Sequence, residues 1–206
     1  VWRFVEIRVE GILGQEMYNE WLKNNLRMFI LSLSFIKRKK IHTFAIESMN
    51  HNMFATISAD IVASTSLSVN ETIGLKQRIE SLFSLLKVSY PDFEGRQIKG
   101  DYIECVMQNV SNVFRIAFII KSCIKSFSTA KNEKTKNFHT YGIRMAIGIG
   151  DMRIVNTEQG IWDGEAIYLS GRALEEMSSL NKGTLAVQTS KKQLSAPLQT
   201  VALLTD

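Results

Sequence analysis

Cysteine and histidine are scarce in this 206-residue chain, and neither is placed for metal chemistry. Cys105 and Cys123 form no CxxC pair and have no histidine at ligand spacing, which argues against zinc. Both lie in apolar stretches and are expected as core thiols of a protein from a reducing cytoplasm. His42, His51 and His139 share no motif with a partner that would set up catalysis. Long apolar runs are missing too. The most apolar stretch, Leu26 to Ile36, falls short of the ~20 residues a membrane helix needs. It has no small-residue cleavage site, so a core or interface helix is expected there. No repeat and no low-complexity tract is present. No aromatic residues interleave with Lys131, Lys134 and Lys136, so that basic run has no single-strand-binding pattern.

What the chain does have is a globular composition: 45% hydrophobic and 22% charged residues, which predicts a packed core rather than disorder. The net charge of +5 is partly local, concentrated in Lys37, Arg38, Lys39 and Lys40. Such a run is first of all solvated surface. Residues 1–52 carry this run, Trp2 and Trp21, but no strand-turn rhythm. The expected organisation is an extension over 1–52 and a folded domain over 53–206.

From Met53 the pattern is regular. Phe54 to Val62 predicts a buried strand. Asn70 is a candidate N-cap for a helix with Ile73, Leu75, Ile79, Leu82, Phe83 and Leu86 on its apolar face. Pro91 ends that helix near Tyr90. Arg96 to Lys99 and Tyr102 to Gln108 predict a hairpin with Gly100-Asp101 at its tip. A second helix follows a cap at Asn109 or Ser111, burying Val113, Ile116, Ile119, Ile120, Cys123 and Ile124, and then a polar loop over Lys131 to Asn137. Tyr141 to Ile149 predicts a strand closed by Gly148 and Gly150, with Met152 to Val155 pairing back. A helix over Trp162 to Met177 and strands over Gly183 to Gln188 and Val201 to Leu204 complete the reading. The order predicts an α+β fold with a ferredoxin-like βαββαβ core, an antiparallel sheet with its helices on one face.

Two carboxylates carry the chemical signal. Asp60 ends the first strand, in ISADIVAST, and Asp101 sits at the hairpin tip, in GRQIKGDYIECVM. Acidic side chains at strand ends, beside small residues that let phosphate approach the backbone, suit divalent cations and a nucleoside triphosphate. Read singly, each is also a good residue to end a strand or make a turn.

The segments DIVAST, GD, RMAIGIGD and GEAIYLSGRALE, in this order, resemble the catalytic domain of class III nucleotide cyclases over roughly Phe54 to Val187. The first half also resembles the small bacterial SatD-type proteins, although no helix-turn-helix pattern follows at the C-terminal side. The cyclase resemblance implies two Mg²⁺ or Mn²⁺ ions held by Asp60, Asp101 and the backbone carbonyl of Ile61. It implies that the amides of Val62 to Thr65, with the Ser64 and Thr65 hydroxyls, lie against phosphate. It also implies that Arg172 binds triphosphate from the late helix. Tyr168, four residues earlier on the same helix face, takes the place of the family's ribose-orienting asparagine. Gln97 and Ile161 occupy the base-selecting places and match neither the adenine nor the guanine pair. Lys182 lies near, but out of register with, a transition-state lysine. The family builds its site between two subunits, so a homodimer is implied.

Three readings stay open at this level. One is a divergent metal-dependent nucleotidyl cyclase. The second is a catalytically inactive nucleotide-binding module of the same fold. The third is a regulatory dimerisation scaffold whose aspartates only shape turns. Each would be cytoplasmic, with no membrane span and no clear nucleic-acid partner.

Overall fold

The computed structural model describes residues 53–180 and 183–205. The 1–52 extension, with Leu26 to Ile36, and Lys182 lie outside the described residues.

Strand β1 (Met53–Ile61) is the centre of the sheet. It is followed by α1 (Val69–Ser89), the hairpin β2 (Glu94–Ile98) and β3 (Tyr102–Met107), then α2 (Val113–Lys125) and the short α3 (Lys136–Tyr141). The chain continues through β4 (Ile143–Asn156), β5 (Ile161–Gly164), α4 (Glu165–Leu180), β6 (Leu185–Thr189) and α5 (Lys192–Thr205). β1 lies between β3 and β4, antiparallel to both, and β2 forms the outer edge beside β3. β6 pairs with the first half of β4 in parallel, while β5 pairs with its second half. The βαββαβ order is therefore present, with one parallel strand added to the expected antiparallel sheet.

Both faces of β1 are buried, for different reasons. Ala55, Ile57, Ala59 and Ile61 point into the main core with Leu75, Ile79, Leu82 and Leu86 of α1 and Ile116, Ile120 and Ile124 of α2. Burying each leucine or isoleucine of this set contributes roughly 1.5–3 kcal/mol, so this layer dominates the stability. Thr56 and Ser58, on the alternate face, lie under α4. Thr56 Oγ1 donates to the Ala166 carbonyl at 2.8 Å, and the Ser58 and Ser170 hydroxyls pair at 2.8 Å. Helices α1 and α2 thus share one face, as the ferredoxin-like reading expects, and α4 covers the other. Gly148 and Gly150 are interior positions of β4 rather than its end. They keep the strand low enough for α4 to lie on it.

Several boundaries differ from the sequence expectation. The cap of α1 is Ser68, not Asn70: its hydroxyl accepts from the Glu71 amide, and the Ser68 amide donates to the Glu71 carboxylate. Ile73 is exposed, because it lies off the Leu75–Ile79–Leu82 stripe. The second half of β4 continues the strand, and its return strand is β5, which contains Trp162. The late helix begins only after Gly164, whose φ of 152° ends the extended segment. Val201 to Leu204 is helical, not a strand; Leu198 and Ala202 of α5 pack against the core. An apolar run of that length fits either element, and periodicity cannot choose between them.

Candidate functional site

The end of β1 brings the two aspartates together. In register, Asp60 stands between Tyr102 of β3 and Arg144 of β4. Just beyond, the Ile61 amide donates to the Asp101 carbonyl at 2.9 Å. The β2–β3 tip reaches this place because Lys99 and Gly100 take positive φ (52° and 88°) and close the hairpin tightly. By backbone position, Asp60 and Asp101 therefore stand at one corner of the sheet.

The turn after β1 is held by its own bonds. The Val62 amide donates to the Gly142 carbonyl at 3.0 Å, so it is not open to phosphate as the sequence reading expected. Ala63 is left-handed (φ 54°), and Ser64–Ser66 forms a single 3₁₀ turn. The Ser64 hydroxyl donates to Asp101 Oδ2 at 3.2 Å, which ties the turn to the hairpin tip. Thr65 is exposed.

Arg144 is the residue that sequence reasoning missed. Its Nε donates to Asp60 Oδ1 at 3.2 Å and its Nη2 to Asp60 Oδ2, a two-pronged ion pair with each side chain about one quarter exposed (24% and 26%). RMAIGIGD displays the arginine, but only strand register places it opposite Asp60.

The other expected residues lie elsewhere. Gln97 on β2 folds back onto its own hairpin, its Nε2 donating to the Gly100 carbonyl. Its Oε1 is buried with no hydrogen-bond partner among the described residues. Tyr168 and Arg172 lie on the outer side of α4, because Ala166, Ser170, Ala173, Leu174 and Met177 form the buried side. Tyr168 donates its hydroxyl to Asp163 Oδ1 at 2.5 Å, and Arg153 also pairs with Asp163. The Tyr168 bond, and then Arg153, hold the Asp163 carboxyl below the usual range, while Asp163 raises the Tyr168 phenol. Arg172 is exposed and has no ion pair among the described residues. Ile161 is exposed on β5. A single chain therefore brings Ile61, Ser64 and Asp101 to the corner where Asp60 stands, with Gln97 bonded to the hairpin tip beside Asp101, while Tyr168 and Arg172 lie on the outer side of α4.

Two carboxylates and a nearby carbonyl are hard oxygen ligands, and Mg²⁺ is commonly held by one or two carboxylates with phosphates and water completing its shell. Asp101 takes one side-chain hydrogen bond, which leaves its second oxygen open; both oxygens of Asp60 are engaged by Arg144. The chemistry fits, provided Arg144 yields. Among the described residues, no group of three or more His, Cys, Asp or Glu side chains is placed to hold a metal ion. No described helix is long and apolar enough to cross a membrane.

No family model matches the chain, and no curated protein matches it. Solved structures do. A bacterial light-regulated adenylyl cyclase is similar at 17% identity, covering 66% of this chain and 75% of that one, with a TM-score of 0.45. The active GGEEF domain of a diguanylate cyclase from Vibrio cholerae is similar at 15% identity, covering 70% and 88%, with a TM-score of 0.43. A guanylyl cyclase is similar at 12% identity, covering 60% and 70%, with a TM-score of 0.41. At these values the likeness assigns no residue a role, and the fold rests on the chain's own strand order.

Proposed function

We propose that residues 53–206 form a divalent-cation-dependent nucleoside-triphosphate domain of the cyclase type. Asp60, Asp101 and the Ile61 carbonyl would hold the Mg²⁺ or Mn²⁺ ions. The ions would supply charge neutralisation at the phosphates and a more acidic ribose 3′-hydroxyl. The observation that supports this reading is the Ile61–Asp101 backbone bond, which brings the backbone of the hairpin tip to the residue after Asp60. The protein's own part would be to hold the tip there, with Ser64 steadying Asp101. Arg172 would reach phosphate from a second copy of the chain, since it faces away from the sheet that carries Asp60. The functional unit is then a homodimer in the cytoplasm, where triphosphates are found.

The experiment is Mn²⁺-dependent binding of a fluorescent triphosphate analogue, with an assay for cyclic product. Binding that is lost in Asp60→Ala and Asp101→Asn supports the site. Binding without cation, or unchanged in both variants, rejects it. A single copy by light scattering in the presence of nucleotide rejects the dimer. Ready cleavage between Ile41 and Asn52 in limited proteolysis supports the 1–52 boundary.

A second reading, binding without turnover, draws on one particular contact. Tyr168, in the asparagine's place, donates its one hydroxyl proton to Asp163 and so has no donor left for a ribose oxygen. Oriented donors of this kind are worth about 2.7–4 kcal/mol in a transition state. Tight Mn²⁺-dependent binding with no cyclic product would establish it.

A further inference from the structure

We propose that the lysine-rich strap between α2 and β4, residues 130–142, steers the anionic triphosphate towards the Asp60–Asp101 corner and sets how fast nucleotide arrives. This rests on the function proposed above and concerns the approach to the same site. The strap is tied at both ends to the segment that follows Asp60. The Gly142 carbonyl accepts from the Val62 amide at 3.0 Å, and the Ala130 amide donates to Glu71 Oε1 at 2.9 Å. Residues 130–142 therefore run beside the turn that carries Ser64, the partner of Asp101. The strap has a built shape. Asn132 Oδ1 accepts from the Lys134 and Thr135 amides at 2.9 and 3.1 Å, and the buried Thr135 donates its hydroxyl to the Ala130 carbonyl at 2.5 Å. Phe138 anchors α3 in the core. With the inner side spent on these contacts, Lys131, Lys134 and Lys136 are left exposed, and Lys131 and Lys136 line one open hollow with His139. Glu133 is the one carboxylate on the strap. Its contact with Lys136 is long, 3.9 Å, and lies in water, so it cancels little of the field. Fixed charge of one sign beside a binding corner raises the local concentration of the opposite ion and its association rate, by ~10-fold to 10³-fold. α3 spans six residues, roughly 9 Å, so the lysines act on the corner at about 0.01 M salt, where screening takes ~30 Å, and not at about 1 M, where it takes ~3 Å. Exposed charges of this kind act on the encounter, while dissociation is set by direct contacts.

The test is stopped-flow association of a fluorescent triphosphate analogue with the full chain in the presence of Mn²⁺, across a range of ionic strength. Wild type is compared with the triple variant Lys131→Gln, Lys134→Gln, Lys136→Gln. All three positions are exposed, so the variant should keep the wild-type melting temperature. At about 0.01 M ionic strength its association rate constant should fall ~10-fold, and the difference should vanish near 1 M. Its dissociation rate should stay at the wild-type value. Lys191→Gln, beyond the far end of β6, should leave association unchanged. Lys134→Glu, a single charge reversal, carries the same test if the triple variant fails to fold. Equal association rates with equal salt dependence overturn the steering alone, and so does a loss of affinity that comes wholly from faster dissociation. Binding of a single-stranded oligonucleotide through these lysines, with triphosphate association indifferent to them, would make the strap a nucleic-acid surface instead. Absence of Mn²⁺-triphosphate binding in every form overturns the proposed function with it.

Discussion

A Cβ built on Gly148 would stand 2.1 Å from the carbonyl oxygen of Ala166 and 2.7 Å from the Ser170 amide. β4 and the first turns of α4 are thus in backbone contact, and the position opposite Thr56 tolerates no side chain. Gly148→Ala should destabilise the domain by about 1–3 kcal/mol or more, the usual cost of overpacking where backbone rather than a flexible side chain must move. Urea unfolding measures it, and a variant within 0.5 kcal/mol of wild type, the usual range for neutral surface changes, would contradict the packing.

The hydroxyls of Thr56, Ser58 and Ser170 bond to one another in a buried layer between β1 and α4. Ser170→Ala removes one shared partner, while Thr56 keeps its bond to Ala166. A loss of about 1–3 kcal/mol is expected for a group left short of a bond in such a layer. Ser170→Val should cost more, because it adds volume under the helix. Thermal melts of the pair would show the order; equal stability of all three proteins would argue against the layer.

Arg96 joins the far ends of the sheet. It pairs with Glu104 across the hairpin at 2.5 Å, donates to the Gly160 carbonyl, and lies 4.1 Å from the Trp162 ring centroid. Arg96→Ala should free the β4–β5 arm and leave Glu104, a largely covered carboxylate, without its partner. In a Trp2→Phe, Trp21→Phe background, which leaves Trp162 as the one tryptophan, emission should shift to longer wavelength as water reaches the ring. An unchanged spectrum would mean that the arm is held by something else.

The capping box of α1 has a pH signature. The hydroxyl of Ser68, then the amides of Ala130 and Ser68, hold the Glu71 carboxyl below its ordinary range. A carboxyl depressed by folding stabilises above its unfolded pKa, about 4.3, and that contribution fades as pH falls through the lower folded value. Ser68→Ala should raise the Glu71 pKa in a carboxyl-resolved NMR titration and lower stability by about 1 kcal/mol near neutrality. The same titration curve in both proteins would refute the cap's role.

Arg172 separates binding from folding. It is exposed, so Arg172→Ala should leave the melting temperature unchanged. Under the proposed function it should weaken triphosphate binding ~10-fold or more, as loss of a charge-assisted contact does. Equal affinity in the variant would remove Arg172 from the site.

Much of this protein was written locally. Proline after Tyr90 stops α1, because the residue before proline resists the helical conformation. The apolar spacing in α2 marks most of its buried side, with Ile119 only half-buried, and both cysteines are core thiols, Cys105 with its pKa pushed up by burial and then by Glu104. Asp60 and Asp101 stand at a strand end and a hairpin tip, as their neighbours imply. Tertiary structure decided the rest. Trp162 and Val201 sit in short apolar stretches that suit helix or strand, and only their packing partners chose. Strand register placed Arg144 against Asp60, since a slip of one residue would have turned it to the other face. The site's chemistry hangs on that register, and register is a property of two strands rather than of either segment alone.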